Sequence, residues 1–408
     1  MASVSKSGDA SDKPPCKYGA GCYRSNPQHL EKFWHPGQGK RKGDQEQDVS
    51  EQKRRKLETE EEDEREEMTH DEADGGATLA DEDDSADQEG LRPDTPSGLS
   101  PREEIEWKFK MEMPEDFYDF WEFCQSQSQT NPRDCLQASL GLQLVGPYDV
   151  LAGKLKWTPA SKRSAYCLHW RYYYDPPEFQ TVLRGDDTTQ HHLGYYRDSP
   201  SELPVFVGAN SAKKGCSISP QGDNIFAAVK LHMDSLVKAT KNKSEKEKIE
   251  ALRKPLAAWA AKCGHCLDLR TPAMKSRDKK VVAKTFHGAG IVVPVDANEV
   301  GYRELPETDA TLKRILKRIV QSQSEEERNR SLEPLDGILC LVQFANDECD
   351  YGQGYELGLD LFAYGHEALH GSVRNLLPLA YSLLGRDEFG QILEAHLEDR
   401  RTEDLSMV

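Results

Sequence analysis

The 408-residue sequence contains no run of 18 consecutive apolar residues, a length that marks a transmembrane helix. Its first 15 residues, MASVSKSGDASDKPP, lack the apolar segment of a secretory signal. Because nothing indicates export, the ten cysteines are expected to be free thiols and metal ligands rather than a disulfide framework. These absences predict a protein that neither spans a membrane nor enters the secretory pathway.

Glycine patterns that hold nucleotides are also missing. The phosphate-binding pattern G-x-x-x-x-G-K-[ST] does not occur. Gly352 and Gly354 are followed by Gly358, one position too late for the dinucleotide pattern G-x-G-x-x-G. The string HGAGIVV has valine where that pattern needs its third glycine. The sequence therefore predicts that this chain does not bind a dinucleotide by itself.

Negative charge is concentrated in one segment. Residues 58–89 contain 17 acidic residues and one arginine, a net charge of −16 out of −18 for the whole chain. The remainder is close to neutral, so the acidity does not exclude binding to an anionic polymer. Residues 38–104 combine this run with basic clusters and a Pro/Ser-rich stretch, which predicts a disordered linker. The acidic run is either a solvated linker or a segment that binds histones by charge.

Two basic clusters precede the acidic run. Residues 40–42 (KRK) and 53–56 (KRRK) are separated by ten residues, which fits a bipartite nuclear import signal. Basic residues are also common in ordinary linkers, and these could support contact with an anionic polymer. Nuclear localisation is the prediction that we carry forward.

Four potential metal ligands lie within 20 residues near the N-terminus. Cys16, Cys22, His29 and His35 have the spacing C-x5-C-x6-H-x5-H, which suits a closed tetrahedral zinc site. A segment as small as residues 13–37 cannot bury a hydrophobic core, so zinc would supply its folding energy. We therefore predict a zinc-stabilised finger over residues 13–37.

The residues around these ligands suggest what the finger binds. Aromatic side chains can stack on a base, and an arginine can pair with phosphate. The strings CKYGAGCYR and HPG closely resemble the poly(ADP-ribose)-binding zinc finger. The resemblance implies that Tyr18 and Tyr23 stack on adenine and that Arg24 reaches the pyrophosphate. The alternative is that the two tyrosines only pack the finger.

Residues 105–400 have the composition of a globular domain. Met113-Pro114 is predicted to open a helix whose buried stripe is Phe117, Phe120, Trp121 and Cys124. Residues 140–230 contain short aromatic and β-branched runs separated by Pro, Gly and Asp, which predict strands. The last hundred residues have helical periodicity. Strands followed by helices indicate an α+β fold.

Two local expectations concern the second half of this domain. The string KKVVAKTFHGAGIVVPVD predicts two strands on either side of His287-Gly288. Pro334 is expected to begin a helix that buries Leu335, Ile338, Leu339 and Val342.

Three acidic residues follow that predicted helix. Asp347, Glu348 and Asp350 fall within four positions, beside the negative end of the helix dipole. Like charges and the dipole both disfavour ionisation, which would suit a carboxylate that accepts a proton. The alternative is a solvated acidic loop without a catalytic role.

The same region resembles a known family. PEDFYDFWEFC, ASLGLQLVGPYDVLAGK, LHWRYYYDPPEFQT, GYRELPETDA and VQFANDECDYGQGYELG closely resemble the histone PARylation factor 1 family. The resemblance implies an accessory factor that binds poly(ADP-ribose) polymerases 1 and 2 and directs ADP-ribose to serine on histones and other proteins. It implies that Glu348 is the catalytic base and that Asp347, Arg303 and the adjacent Tyr302 contact the partner.

Further expectations follow from that resemblance. NAD would be held by the partner enzyme, so the chain is not an enzyme alone. It would act in the nucleus, at chromatin and DNA-damage sites, without sequence-specific DNA binding.

Two other functions are compatible with parts of the sequence. A reader–scaffold would bind poly(ADP-ribose) while the acidic loop stays inert. A zinc peptidase is suggested by residues 366–370, HEALH, which match H-E-x-x-H in a predicted helix. The string CGHC at Cys263–Cys266 resembles a thiol oxidoreductase motif, but it lies in a helical stretch without the strand–helix context that this chemistry needs.

Overall fold

A computed structural model describes residues 98–155 and 163–407. The predicted finger, the basic clusters and the acidic run lie outside these residues, as do the sites assigned to Cys16, Tyr18, Cys22, Tyr23, Arg24, His29 and His35. Within the described ranges, no helix is both long and apolar enough to cross a membrane.

The described residues form helices around one antiparallel sheet. The helices, numbered in chain order, are α1 (Pro101–Phe109), α2 (Glu115–Gln127), α3 (Gln137–Leu140), α4 (Tyr148–Leu151), α5 (Ile225–Ala239), α6 (Lys243–Cys263), α7 (Pro272–Asp278), α8 (Asp309–Gln321), α9 (Glu325–Asp347), α10 (Gly352–Tyr364), α11 (His370–Leu383) and α12 (Asp387–Glu398). The strands are β1 (Gln143–Leu144), β2 (Phe179–Arg184), β3 (His191–Tyr196), β4 (Phe206–Ser211) and β5 (Ser219–Gly222).

The sheet follows chain order from β1 to β5, and every neighbouring pair is antiparallel. This arrangement confirms the α+β fold class of this domain and most of the predicted strands between residues 140 and 230. The aromatic run LHWRYYYD at residues 168–175 is the exception, because it forms turns rather than a strand. The buried stripe of α2 is also as predicted, since Phe117, Phe120, Trp121 and Cys124 are all buried.

Two buried clusters make up most of the hydrophobic core. One joins α1 and α2 to the sheet, α5 and α6, and the other joins α8 to α12. Glu178, which precedes β2, is fully buried and accepts hydrogen bonds from Tyr355 on α10 (2.6 Å) and Tyr381 on α11 (2.8 Å). Burial raises the pKa of Glu178, while the two tyrosine hydroxyls lower it. This carboxyl group therefore links the start of the sheet to the helical half.

Helix α10 is the central helix of the second cluster, because each of its residues from Gly352 to Ala363 is buried. Its first residue follows directly from the acidic segment 347–351. The acidic segment is consequently attached to one of the most constrained helices of the domain.

Two expectations about the segments 279–296 and 325–347 were wrong. Pro334 does not begin a helix but lies inside α9, which starts nine residues earlier, where the Ser324 hydroxyl accepts a hydrogen bond from the Glu327 amide at 3.1 Å. A strong N-cap followed by three glutamates thus outweighs the one backbone hydrogen bond that an interior proline removes.

The string KKVVAKTFHGAGIVVPVD does not form two strands. It contains a single antiparallel bridge between Ala283 and Ile291. Other groups bond to its backbone instead: Asp360 accepts from the Phe286 amide at 2.7 Å, and Ile218 donates to the His287 carbonyl at 2.8 Å. The alternation of hydrophobic residues predicted strands here because it carries no information on these partners, which are distant in the sequence.

Candidate active site

Glu348 occupies the corner where α9 ends. The Glu348 amide still donates to the carbonyls of Phe344 and Ala345, both at 3.2 Å, so this residue caps the helix. The next residue, Cys349, has a left-handed backbone (φ 64°), a conformation that non-glycine residues seldom adopt. The chain therefore turns sharply after Glu348 and leaves its side chain about 40% exposed.

Arg303 connects two of the three predicted acidic residues. Its guanidinium contacts the Glu348 carboxylate, and its Nε and Nη2 lie 3.0 and 2.9 Å from Oδ2 of Asp350. Asp350 is fully buried and Arg303 is mostly buried. The expectation of three crowded, uncompensated negative charges was thus incomplete, because it omitted this cation 45 residues away in the sequence.

The backbone holds these side chains in place. The Gly301 amide donates to Oδ1 of Asp350 at 2.9 Å, and the Gly352 amide donates to the Gly301 carbonyl at 2.9 Å. A Cβ atom on Gly352 would lie 2.9 Å from that carbonyl oxygen, closer than real side chains approach. The close approach of the two segments therefore depends on glycine at this position.

Tyr302 points to a different acidic group. Its hydroxyl donates to Oε2 of Glu356 at 2.9 Å, and its ring packs against the helical core. Burial, reinforced by the adjacent Glu356, raises the pKa of Tyr302. Burial also raises the pKa of Glu356 to about 7. Tyr302 is half-buried and hydrogen-bonded inward, unlike the exposed Asp347 at the end of α9.

An apolar surface adjoins the acidic corner. Leu341 and Phe344 on α9 are 46% and 61% exposed, large values for hydrophobic side chains. With Asp347 and Glu348 they form a continuous stretch of the last two helical turns, which we call the α9 face. Phe344 was not among the functional residues predicted from the sequence. The periodicity could have identified it, since Phe344 falls outside the inner stripe of Leu335, Ile338, Val342 and Ala345.

The HEALH segment is not a helical metal site. His366 caps a 3-10 turn over Glu367–Leu369, and its Nδ1 accepts from the Ala368 amide at 3.2 Å. His370 begins α11, and its Nε2 lies 3.2 Å from Nη1 of Arg400. The prediction that the motif lies in a helix was wrong, because His366 precedes a 3-10 turn and the α-helix begins only at His370. Among the described residues, this segment does not gather a metal-binding group.

Known proteins share the sequence of the domain that contains this site. A family model described as Histone PARylation factor 1 matches residues 100–400, which include Arg303, Glu348 and Asp350. Histone PARylation factor 1 of Mus musculus is 54% identical over 310 residues, which cover 75% of this chain and 89% of that protein.

The chain belongs to the histone PARylation factor 1 family. The family predicted from the sequence is thus confirmed. The Bos taurus member is 53% identical over 315 residues (77% of this chain, 90% of that protein). The Danio rerio member is 51% identical over 322 residues (79% of this chain, 92% of that protein). A second family model, the PBZ domain, matches residues 13–38, where the finger was predicted.

Proposed function

We propose that this chain is a nuclear accessory factor for the ADP-ribosylation of histones. It binds poly(ADP-ribose) polymerase 1 or 2 and directs ADP-ribose to serine. Membership of the histone PARylation factor 1 family supports the general role. The observation that carries the finer proposal is the position of Glu348, exposed at the end of α9 and held by Arg303.

Glu348 is suited to act as a general base. A serine hydroxyl is a poor nucleophile while protonated, so its transfer reaction needs a group that accepts the proton. The Glu348 carboxylate lies at the surface, where an acceptor serine can approach it, and its contact with Arg303 restricts its orientation. Arg303 is in turn held by the buried Asp350. In this proposal the pair positions the base and the partner supplies NAD.

The α9 face is the proposed docking surface. Exposed aromatic and aliphatic side chains next to charged ones resemble the energetic centre of many protein interfaces. Phe344 and Leu341 would bury against the polymerase, and Asp347 would pair with a positively charged or hydrogen-donating group there. Docking through this face would bring Glu348 into the active site of the partner. Arg303, being mostly buried, would contribute mainly by holding Glu348 and Asp350.

The N-terminal finger adds a second activity to this proposal. The PBZ domain match supports binding of poly(ADP-ribose) by this finger. Its zinc ligands would be Cys16, Cys22, His29 and His35. Tyr18, Tyr23 and Arg24 would contact ADP-ribose. An accessory factor with its own polymer reader would remain where modification has already started.

A reconstituted reaction tests the proposal. Polymerase 1 or 2 is incubated with NAD and a serine-containing histone tail, with and without the full chain, and acceptor residues are identified by mass spectrometry. We expect serine modification only when the chain is present. If the acceptors stay unchanged while the chain is bound to the polymerase, the reader–scaffold alternative replaces this proposal.

A further inference from the structure

The end of α6 and one residue of α2 bring together three side chains that bind metals. Cys263 is the last residue of α6, and Gly264 follows in a left-handed conformation (φ 80°). The His265 amide then donates to the Ala260 carbonyl at 2.9 Å, so the chain turns back on itself. His265 Nε2 lies 2.7 Å from Oδ2 of Asp119. Potential ligand atoms of Cys263, His265 and Asp119 all lie within 4.8 Å of one another.

The composition of this cluster favours zinc. A thiolate, an imidazole and a carboxylate are all zinc ligands, whereas magnesium and calcium prefer oxygen alone. Zinc–ligand bonds of about 2.0–2.3 Å place tetrahedral ligands about 3.3–3.8 Å apart. The ligand atoms of the observed cluster lie within 4.8 Å of one another, which is about 1 Å beyond the widest of those spacings. All three residues are partly buried, so solvent can supply a fourth ligand.

Electrostatics also favour a cation and disfavour thiol redox chemistry. Cys263 lies at the negative end of the α6 dipole. A thiol oxidoreductase needs a thiol whose pKa is lowered, often at a helix N-terminus, whereas Cys263 lies at a helix C-terminus beside Asp119. The CGHC string therefore lies in surroundings that stabilise bound positive charge rather than a free thiolate.

The surrounding structure holds the cluster in position. Asn224 caps α5 through its Oδ1, and its Nδ2 donates to the Cys266 carbonyl at 2.6 Å. The His265 ring stacks on Phe226 of α5 with 5.3 Å between ring centroids. Because the loop after α6 is fastened on both sides, little ordering would be needed when an ion binds.

We propose that Cys263, His265 and Asp119 bind one zinc ion per chain, separate from the N-terminal finger. This ion would join the end of α6 to α2. Nothing in the proposed docking through α9 depends on it, so the two proposals can fail independently.

The test uses the full chain with Cys16→Ser and Cys22→Ser, which removes two ligands of the finger. After the metal is stripped, Co²⁺ is added and thiolate-to-cobalt charge-transfer absorption is recorded. Zinc affinity is then measured by competition with a chromophoric chelator. We expect one equivalent of metal to bind. Cys263→Ser and Asp119→Asn should each weaken zinc binding by about 100-fold or more, because losing a residue that merely orients a ligand already costs about 10–100-fold.

Cys340→Ser is the matched control, since Cys340 is an exposed cysteine on α9 and should leave affinity unchanged. Zinc should also raise the thermal unfolding midpoint of the parent chain but not that of Cys263→Ser. The proposal is overturned if the parent chain binds no cobalt. It is equally overturned if Cys263→Ser retains the full absorption and affinity. Neither result depends on serine modification.

Discussion

Tyr302 and Arg303 are neighbours in sequence, yet they compensate acidic groups in two different ways. Arg303 and Glu348, which we call the outer pair, lie near the surface, and the charged Arg303 also contacts the buried Asp350. Tyr302 and Glu356, which we call the inner pair, lie toward the core, where the neutral Tyr302 hydroxyl donates one hydrogen bond to the buried Glu356. A full positive charge offsets the cost of burying a carboxylate more than a single neutral donor does. The raised pKa of Glu356, about 7, agrees with this difference.

The comparison also indicates which side can take part in chemistry. The inner pair is enclosed and supports packing between α10 and the 301–305 segment. The outer pair reaches the surface at the end of α9, beside Asp347 and Phe344. A partner can therefore approach the outer side directly.

Removing the outer cation should have the largest effect. Arg303→Ala leaves the buried Asp350 without its guanidinium partner, which typically lowers the free energy of unfolding by about 3–5 kcal/mol. It should also weaken polymerase binding, because the Glu348 corner loses its support. Urea denaturation and calorimetry measure the two effects.

The matched control is Arg102→Ala, which breaks the exposed ion pair with Glu115. Exposed pairs contribute about 1 kcal/mol or less. Equal losses of stability in the two variants would show that the Arg303 network does not hold the corner together.

The inner pair, Tyr302 and Glu356, should make the free energy of unfolding depend on pH. The ordinary carboxyl pKa of Glu356 is 4.5, and burial raises it to about 7 in the folded protein. The folded state therefore keeps a proton that the unfolded chain releases, so this contribution to stability is fully present below pH 4.5 and is lost as pH rises through 7. The pKa rises by about 2.5, so at about 1.4 kcal/mol per pKa unit the contribution is about 3.5 kcal/mol.

Glu356→Gln keeps the hydrogen bond acceptor for Tyr302 without a titratable group. Between pH 5 and pH 7.5, the free energy of unfolding should therefore fall less in this variant than in the parent chain. The difference reflects about 1.4 kcal/mol for each unit by which the pKa of Glu356 is raised. Glu333→Gln, an exposed change on α9, should leave the slope as it is. A Glu356→Gln variant with the parental slope would contradict the raised pKa.

Phe344→Ala should affect binding and leave folding almost unchanged. The side chain is 61% exposed in the free chain, so its loss should change stability by no more than about 0.5 kcal/mol. The free energy of binding to the polymerase should become less favourable by about 2 kcal/mol, as when a central interface residue is truncated. Leu379→Ala removes a 48% exposed leucine from α11 and should leave the affinity intact. Equal affinities for all three chains would remove the α9 face from the interface.

Much of this region was predictable from local sequence, and the rest depended on contacts distant along the chain. The α2 stripe and the strands after residue 140 follow from periodicity and turn residues. The position of Glu348 after a helix also follows from local pattern. The contact between Arg303 and Glu348 joins residues 45 positions apart, so counting nearby charges could not reveal it. Phe344 was overlooked because an exposed aromatic residue resembles a core residue until the buried face of its helix is known.

The most direct measurement of the central claim is acceptor-resolved mass spectrometry of the reconstituted reaction with Glu348→Gln. This change keeps the shape of the side chain but removes its capacity to accept a proton. With binding to the polymerase verified separately, serine modification should fall by about 10²–10⁴-fold, the usual contribution of a positioned base. Aspartate and glutamate acceptors should still be modified, because a carboxylate is already ionised at neutral pH. Asp347→Asn should instead lose polymerase affinity first. Serine modification at the parental rate by bound Glu348→Gln would contradict the account.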